Sequence, residues 1–131
     1  MKKVFVCCPM YKRLPGEIEK TVTKMKKLAE AYMGEELELL DGTASRLNQA
    51  QTENGAICNN YAQLLMNVLL LQKADVFIFV SNAFEFKYYG AEEGIASVYF
   101  KDKPIYYVNP KDVMNDYEEP KRIPWLTSCL V

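Results

Sequence analysis

The 131-residue chain contains no histidine. That absence removes serine–histidine and cysteine–histidine triads, histidine-ligated metals and imidazole general bases from any chemistry within the chain. Proton transfer or nucleophilic attack falls instead to carboxylates, lysines, tyrosines or thiols. An excess of either charge is missing as well. Sixteen Lys and Arg face 17 Asp and Glu, a formal net charge of −1, so bulk electrostatic capture of a nucleic-acid polymer is not expected. No run approaches the roughly 20 apolar residues of a transmembrane helix. "MKKVFVCC" offers too few apolar residues before Pro9 for a secretory signal. The expectation is a cytoplasmic protein with reduced thiols and no membrane partner. Cysteine is sparse and spaced against zinc binding: Cys7 and Cys8 are adjacent, while Cys58 and Cys129 stand alone. Cys7 and Cys8 read as a small buried residue and a turn residue, not as reactive thiols.

What is present reads as one domain over residues 1–131, with a core at about 3–108 and a tail at 109–131. "KKVFVCC" (2–8) is a short β-branched and apolar run stopped by Pro9, and it predicts a buried strand. From about Glu17 to Met33, Ile18, Val22, Met25, Ala29 and Tyr32 recur at helical spacing and form one apolar stripe. Gly34 is a helix stop. "ELELL" (36–40) predicts a second strand, followed by a polar, glycine-punctuated loop near 41–57. A helix over about 57–72 has a second half, "LLMNVLLL", that is apolar nearly all the way round. Such a helix is expected to be buried on more than one side, within the fold or against another subunit. "DVFIFV" (75–80) reads as a central parallel strand covered on both faces. A loop (81–89), a helix (about 90–100) and a strand "KPIYYV" (103–108) complete the order. The tail's last apolar piece, "WLTSCLV", is a candidate edge strand or partner-covering segment.

Strands alternating with helices in this way predict an α/β fold: a Rossmann- or flavodoxin-like three-layer sandwich around a four- to five-stranded, mainly parallel sheet. For strand order 2-1-3-4 the order reverses between strands 1 and 3, where ligands of such sheets collect at the carboxyl ends. That brings "CCPMYKR" and "SNAFEFKYYGAEE" around one crevice.

The adjacent carboxylates Glu92 and Glu93 lie in the first turn of the 90–100 helix. With Ala91, Ile95, Val98 and Tyr99 taken as its buried face, Glu93 points to solvent and Glu92 sits at the margin above Ala96. Both carboxylates complement the helix dipole. On position alone they are either ordinary helix-start acids or, in the case of Glu92, a reagent. In the first loop, Tyr11, Lys12 and Arg13 border the crevice. Arg13 with nearby backbone amides either holds a phosphate or belongs to a solvated surface pair. Arg46 is a second candidate anion partner. Phe84, Phe86, Tyr88 and Tyr89 either stack on a base or simply pack.

Taken together, "VFVCCPM", "LLLQKADVFIFV" and "GAEEGIASVYFKDKPIYYV" resemble the nucleoside 2-deoxyribosyltransferase-like family, which includes transferases, deoxynucleotide N-glycosidases and many small, often phage-borne members. Pro9 fits the turn after the family's first strand, with Cys8 where a glycine is usual. Ala74–Asp75 fit the pair that opens its central strand. Glu92, Gly94 and Ala96 fit Glu-x-Gly-x-Ala, and Lys103–Pro104 fit the Lys-Pro before the next strand. The resemblance implies that Glu92 is a nucleophile that attacks the anomeric carbon of a 2'-deoxynucleoside or its monophosphate and displaces the base. Such a reaction needs no metal or other cofactor. It further implies a pocket formed by Cys8, Pro9, Met10, Tyr11, Arg13, Ser81, Asn82, Phe86, Tyr89 and Gly90, and with the apolar 57–72 helix a homodimer or higher homo-oligomer. Three departures are specific. Phe86 stands where active transferases carry an aspartate, with Glu85 and Asn82 as candidate substitutes, Gly90 stands two residues before Glu92 instead of four, and the helix runs two residues longer before its Lys-Pro. The alternative is a nucleotide-binding protein of the same fold that senses or sequesters without turnover.

Overall fold

A computed structural model describes residues 1–8, 13–42, 56–80 and 90–117, with side chains from 65 in the third segment and from 92 in the fourth. The described elements are β1 (Lys2–Cys7), α1 (Pro15–Met33), β2 (Leu37–Asp41), α2 (Ala56–Lys73), β3 (Val76–Val80), α3 (Gly90–Tyr99), β4 (Ile105–Val108) and α4 (Pro110–Val113). The four strands form one all-parallel sheet in the order β2-β1-β3-β4. The chain is therefore α/β, with a Rossmann- or flavodoxin-like arrangement and the expected reversal between β1 and β3.

Alternation along the strands explains why the central ones read as continuous apolar runs. Val4 and Val6 of β1, Cys8 just beyond it, and Val76, Ile78 and Val80 of β3 face one side. There they pack with Ile18, Val22, Met25 and Ala29 of α1 and Val113 of α4. Phe5 and Cys7 with Phe77 and Phe79 face the other side, against Leu71 of α2 and Ala96 of α3. Each side chain is almost wholly withdrawn from water, and emptying such a site, as in Leu71→Ala, costs about 2–5 kcal/mol. The rings of Phe5 and Phe77 meet edge-on at 6.5 Å and 69°.

The ends of the elements have identifiable causes. Pro15 stands at the start of α1, where its missing amide hydrogen costs nothing. Gly34 ends the helix with φ 71°, a left-handed conformation in which a side chain would be strained. Glu30 accepts from the Leu37 amide at 3.0 Å and from Lys26 at 3.2 Å, which joins the end of α1 to the start of β2. The Leu37 amide and then Lys26 hold the Glu30 carboxyl below its ordinary range. Lys103 covers the carboxyl end of α2 by donating to the Ala74 carbonyl at 2.6 Å. Asp75 accepts from the Lys3 amide at 2.8 Å and returns a backbone bond to the Lys3 carbonyl at 2.7 Å, which ties β3 to β1.

Two expectations about buried faces change. Val98 and Tyr99 do not belong to the buried face of α3; they are exposed, while Glu92 and Ala96 are buried and Ile95 is half-buried. The apolar stripe gave the wrong rotation because a carboxylate with a buried partner takes the inward side. Tyr32 likewise leaves the α1 stripe for the surface, where its ring lies 4.9 Å from Tyr106. In the part of α2 described with side chains, Asn67 and Leu71 face inward while Leu65, Met66 and Leu69 face outward in the single chain, which leaves another subunit as the expected cover for that side. The tail holds a helical turn, α4, that was not foreseen. Asn109 initiates it by accepting from the Lys111 amide at 2.9 Å, ahead of Pro110. The proposed edge strand of the tail, residues 43–55 of the expected 41–57 loop and the 81–89 loop lie outside the described residues, and α2 already begins at Ala56. No helix among the described residues is long and apolar enough to cross a membrane.

Candidate functional site

Helix α3 starts on the side of the sheet where β3 ends, and Glu92 is its third residue. The side chain is 4% exposed, one of three buried polar or charged residues among those described. A buried carboxylate requires a donor. Asn67 of α2 supplies one, its Nδ2 donating to Glu92 Oε1 at 3.2 Å. A carboxylate can only accept here, so the amide nitrogen, not its oxygen, must face it. The positive end of α3 adds a second favourable interaction with negative charge at this position.

Asn67 is itself 0% exposed. Its other end lies against Gly42, the residue after β2. A Cβ placed on Gly42 would come 2.7 Å from Asn67 Oδ1 and 3.1 Å from the Phe5 ring. The glycine is thus needed for close approach. The signal for Asn67 was present in the sequence as the one polar residue within "LLMNVLLL", but an apolar count gave it no weight.

Glu93 is half-buried and accepts from the Tyr107 hydroxyl at 3.3 Å. Burial first, and then the Glu93 carboxylate, pushes the Tyr107 hydroxyl above its ordinary range. The two glutamates therefore have different environments, with Glu92 the enclosed one. Cys7 and Cys8 are both buried, on opposite sides of the sheet.

Arg13 does not stand in an open crevice. Its side chain is 6% exposed and forms a two-pronged ion pair with Asp116, Nε to Oδ2 at 2.7 Å and Nη2 to Oδ1 at 2.8 Å. Nη2 also donates to Thr21 Oγ1 at 2.6 Å, and Nη1 approaches Cys8 Sγ at 3.7 Å. Burial works against this charge, but Asp116 and the Cys8 sulfur outweigh it and hold the guanidinium above its ordinary range. The guanidinium is enclosed while Asp116 keeps part of its side chain in solvent, so the pair lies at the edge of the fold and not free on the surface. A phosphate at Arg13 would have to displace Asp116.

Glu92, Cys8 and Arg13 are placed with their side chains, and Gly90 is placed as the first residue of α3. Pro9, Met10, Tyr11, Lys12, Arg46, Ser81, Asn82, Phe84, Glu85, Phe86, Tyr88 and Tyr89 lie outside the described residues. Two surface hollows of about 680 and 480 Å³ lie elsewhere. One is bordered by Met1, Lys26 and Glu30, the other by Lys24, Tyr32, Tyr107 and Asp112, and neither includes Glu92 or Asn67. No group of three or more Cys, Asp or Glu side chains able to hold a metal ion occurs among the described residues.

No protein-family model matches the chain, and neither a curated protein nor a solved structure matches it significantly.

Proposed function

We propose that the chain cleaves or exchanges the N-glycosidic bond of a 2'-deoxynucleoside or its monophosphate, with Glu92 as nucleophile. The observation that carries this reading is a buried carboxylate in the first turn of a helix, with one oxygen held by Asn67. Its other oxygen, Oε2, makes no hydrogen bond among the described residues. The family resemblance in Glu92, Gly94 and Ala96 points to the same residue.

In the first step, a Glu92 oxygen forms a bond to the anomeric carbon as the carbon–nitrogen bond breaks. The bonding pair leaves with the base, which takes a proton from solvent. The resulting ester is then attacked at the same carbon by water or by a ring nitrogen of a second base, and either one loses a proton to solvent. That attack releases the Glu92 carboxylate and gives two inversions at one centre. Withdrawal from water strengthens the electrostatic stabilisation of the oxocarbenium-like transition state by the carboxylate.

Base release, followed by chromatography over a panel of deoxynucleosides and their monophosphates in wild type and Glu92→Gln, tests the reading. Release that disappears in the variant supports it. A specific sequence feature favours a second reading: Phe86 in place of the aspartate expected in active transferases. In that case the chain binds a nucleotide without turnover, and binding survives Glu92→Gln.

The outward side of α2 carries Leu65, Met66 and Leu69. We assign it to a homodimer or higher homo-oligomer, because an isologous contact would withdraw these side chains from water. A cytoplasmic setting, with reduced thiols, belongs to the same reading.

A further inference from the structure

The contacts of Asn67 extend beyond its hydrogen bond to Glu92, because the same amide is confined from the opposite end. Gly42 leaves no room there: a single added carbon would fall 2.7 Å from Oδ1, well inside van der Waals contact. The Phe5 ring, 3.1 Å from that same point, limits where the amide could retreat. Phe5 is itself 0% exposed and packed against Phe77 and Phe79, so its ring is not free to yield. The carboxylate at the other end is also confined, at 4% exposure.

We propose that Gly42, Asn67 and Glu92 act as one positioning unit, in which the bare Cα of Gly42 lets the Asn67 amide hold Glu92 Oε1 so that Oε2 is the attacking oxygen. This rests on the nucleophilic reading of Glu92 and adds two positioning residues to it, neither of which touches the reacting atoms. Holding one carboxylate oxygen fixes the carboxylate plane and therefore the direction of attack. Misplacement of a reacting atom by about 1 Å can cost about 100-fold in rate. Gly42 directly follows Asp41, the last residue of β2, so the unit joins the carboxyl end of an edge strand to the nucleophile through one amide.

The test uses Gly42→Ala, Asn67→Ala and the double variant in the full chain, with thermal unfolding recorded for each. Each single variant is expected to lower kcat about 10- to 100-fold with KM changed less than about threefold. The double variant should be no worse than the poorer single one, because both act through the same hydrogen bond. Independent, multiplying losses, or losses confined to KM, would overturn the proposal. A second measurement needs no turnover. The side-chain amide protons of Asn67, followed by NMR in wild type, should be slow to exchange, with one shifted downfield. In Glu92→Gln that proton should move upfield, and in Gly42→Ala its protection should fall. Asn67 protons that are indifferent to both changes would overturn the unit even if base release is observed. The expected shifts with no base release from any substrate would uphold the hydrogen-bonded unit and reject the nucleophilic reading.

Discussion

Arg13 and Asp116 lie 103 residues apart in the chain and meet in a two-pronged ion pair whose shorter contact is 2.7 Å. The pair ties the start of α1 to the turn after α4, with Thr21 as a further acceptor. Removing Asp116 leaves the enclosed guanidinium without its charge partner. Asp116→Asn should therefore cost about 2–3 kcal/mol in urea unfolding, less than for a fully buried pair because Asp116 keeps some solvent contact. The sign with pH follows from Asp116. The Arg13 hydrogen bonds hold its carboxyl below the usual aspartate range. The stabilisation is therefore complete above the ordinary aspartate pKa, about 4, and fades as the pH falls through the lower native value. Wild type should lose stability relative to Asp116→Asn on acidification below about pH 4. A gap between them that stays constant down to pH 2 would contradict this assignment.

The architecture was legible because strand periodicity and helix periodicity record the same quantity, burial of apolar surface. Val4, Val6, Ile78 and Val80 on one side and Phe5, Phe77 and Phe79 on the other are where alternation places them. The rotation of α3 was not legible, since it depends on a polar pair. Glu92 turns inward because Asn67, 25 residues earlier, is there to meet it. A periodicity count cannot register a partner on a different helix. Arg13 illustrates the same limit, because its neighbour in sequence says nothing of Asp116. The α4 turn that Asn109 and Pro110 start was not legible either, because a single helical turn leaves almost no apolar pattern.

Lys103 carries a further prediction. Its ammonium donates to the Ala74 carbonyl at 2.6 Å and lies 4.8 Å from the centre of the Phe100 ring. Ala74 also opens the Ala74–Asp75 pair, so two of the sequence landmarks meet at the amino-terminal end of the sheet. Lys103→Met keeps most of the aliphatic stem but loses the bond. It should lower stability by about 1–2 kcal/mol, read as a shift in urea midpoint with unchanged m-value. A loss below about 0.3 kcal/mol would show that water replaces the ammonium without penalty.

The α2 surface is tested by charge. Leu65 and Leu69 are 67% and 58% exposed and lie one turn apart. Light scattering at micromolar concentration should find wild type as a homodimer or larger and Leu65→Glu/Leu69→Glu as a monomer. Because both positions are exposed in the single chain, the monomeric variant should retain its circular dichroism spectrum. A wild type that scatters only as monomer would refute the assembly.

The central claim is that Glu92 becomes covalently attached to a sugar. The most direct test incubates the protein with 2'-fluoro-2'-deoxyarabinosyl nucleosides, whose electron-withdrawing fluorine destabilises the oxocarbenium-like transition state and slows breakdown of the ester. Intact-mass and peptide mass spectrometry then locate any adduct. The account predicts one fluorodeoxypentosyl group per chain, on the peptide containing Glu92, and none in Glu92→Gln. Base release without an adduct on that peptide, or an adduct that persists in the variant, would contradict it.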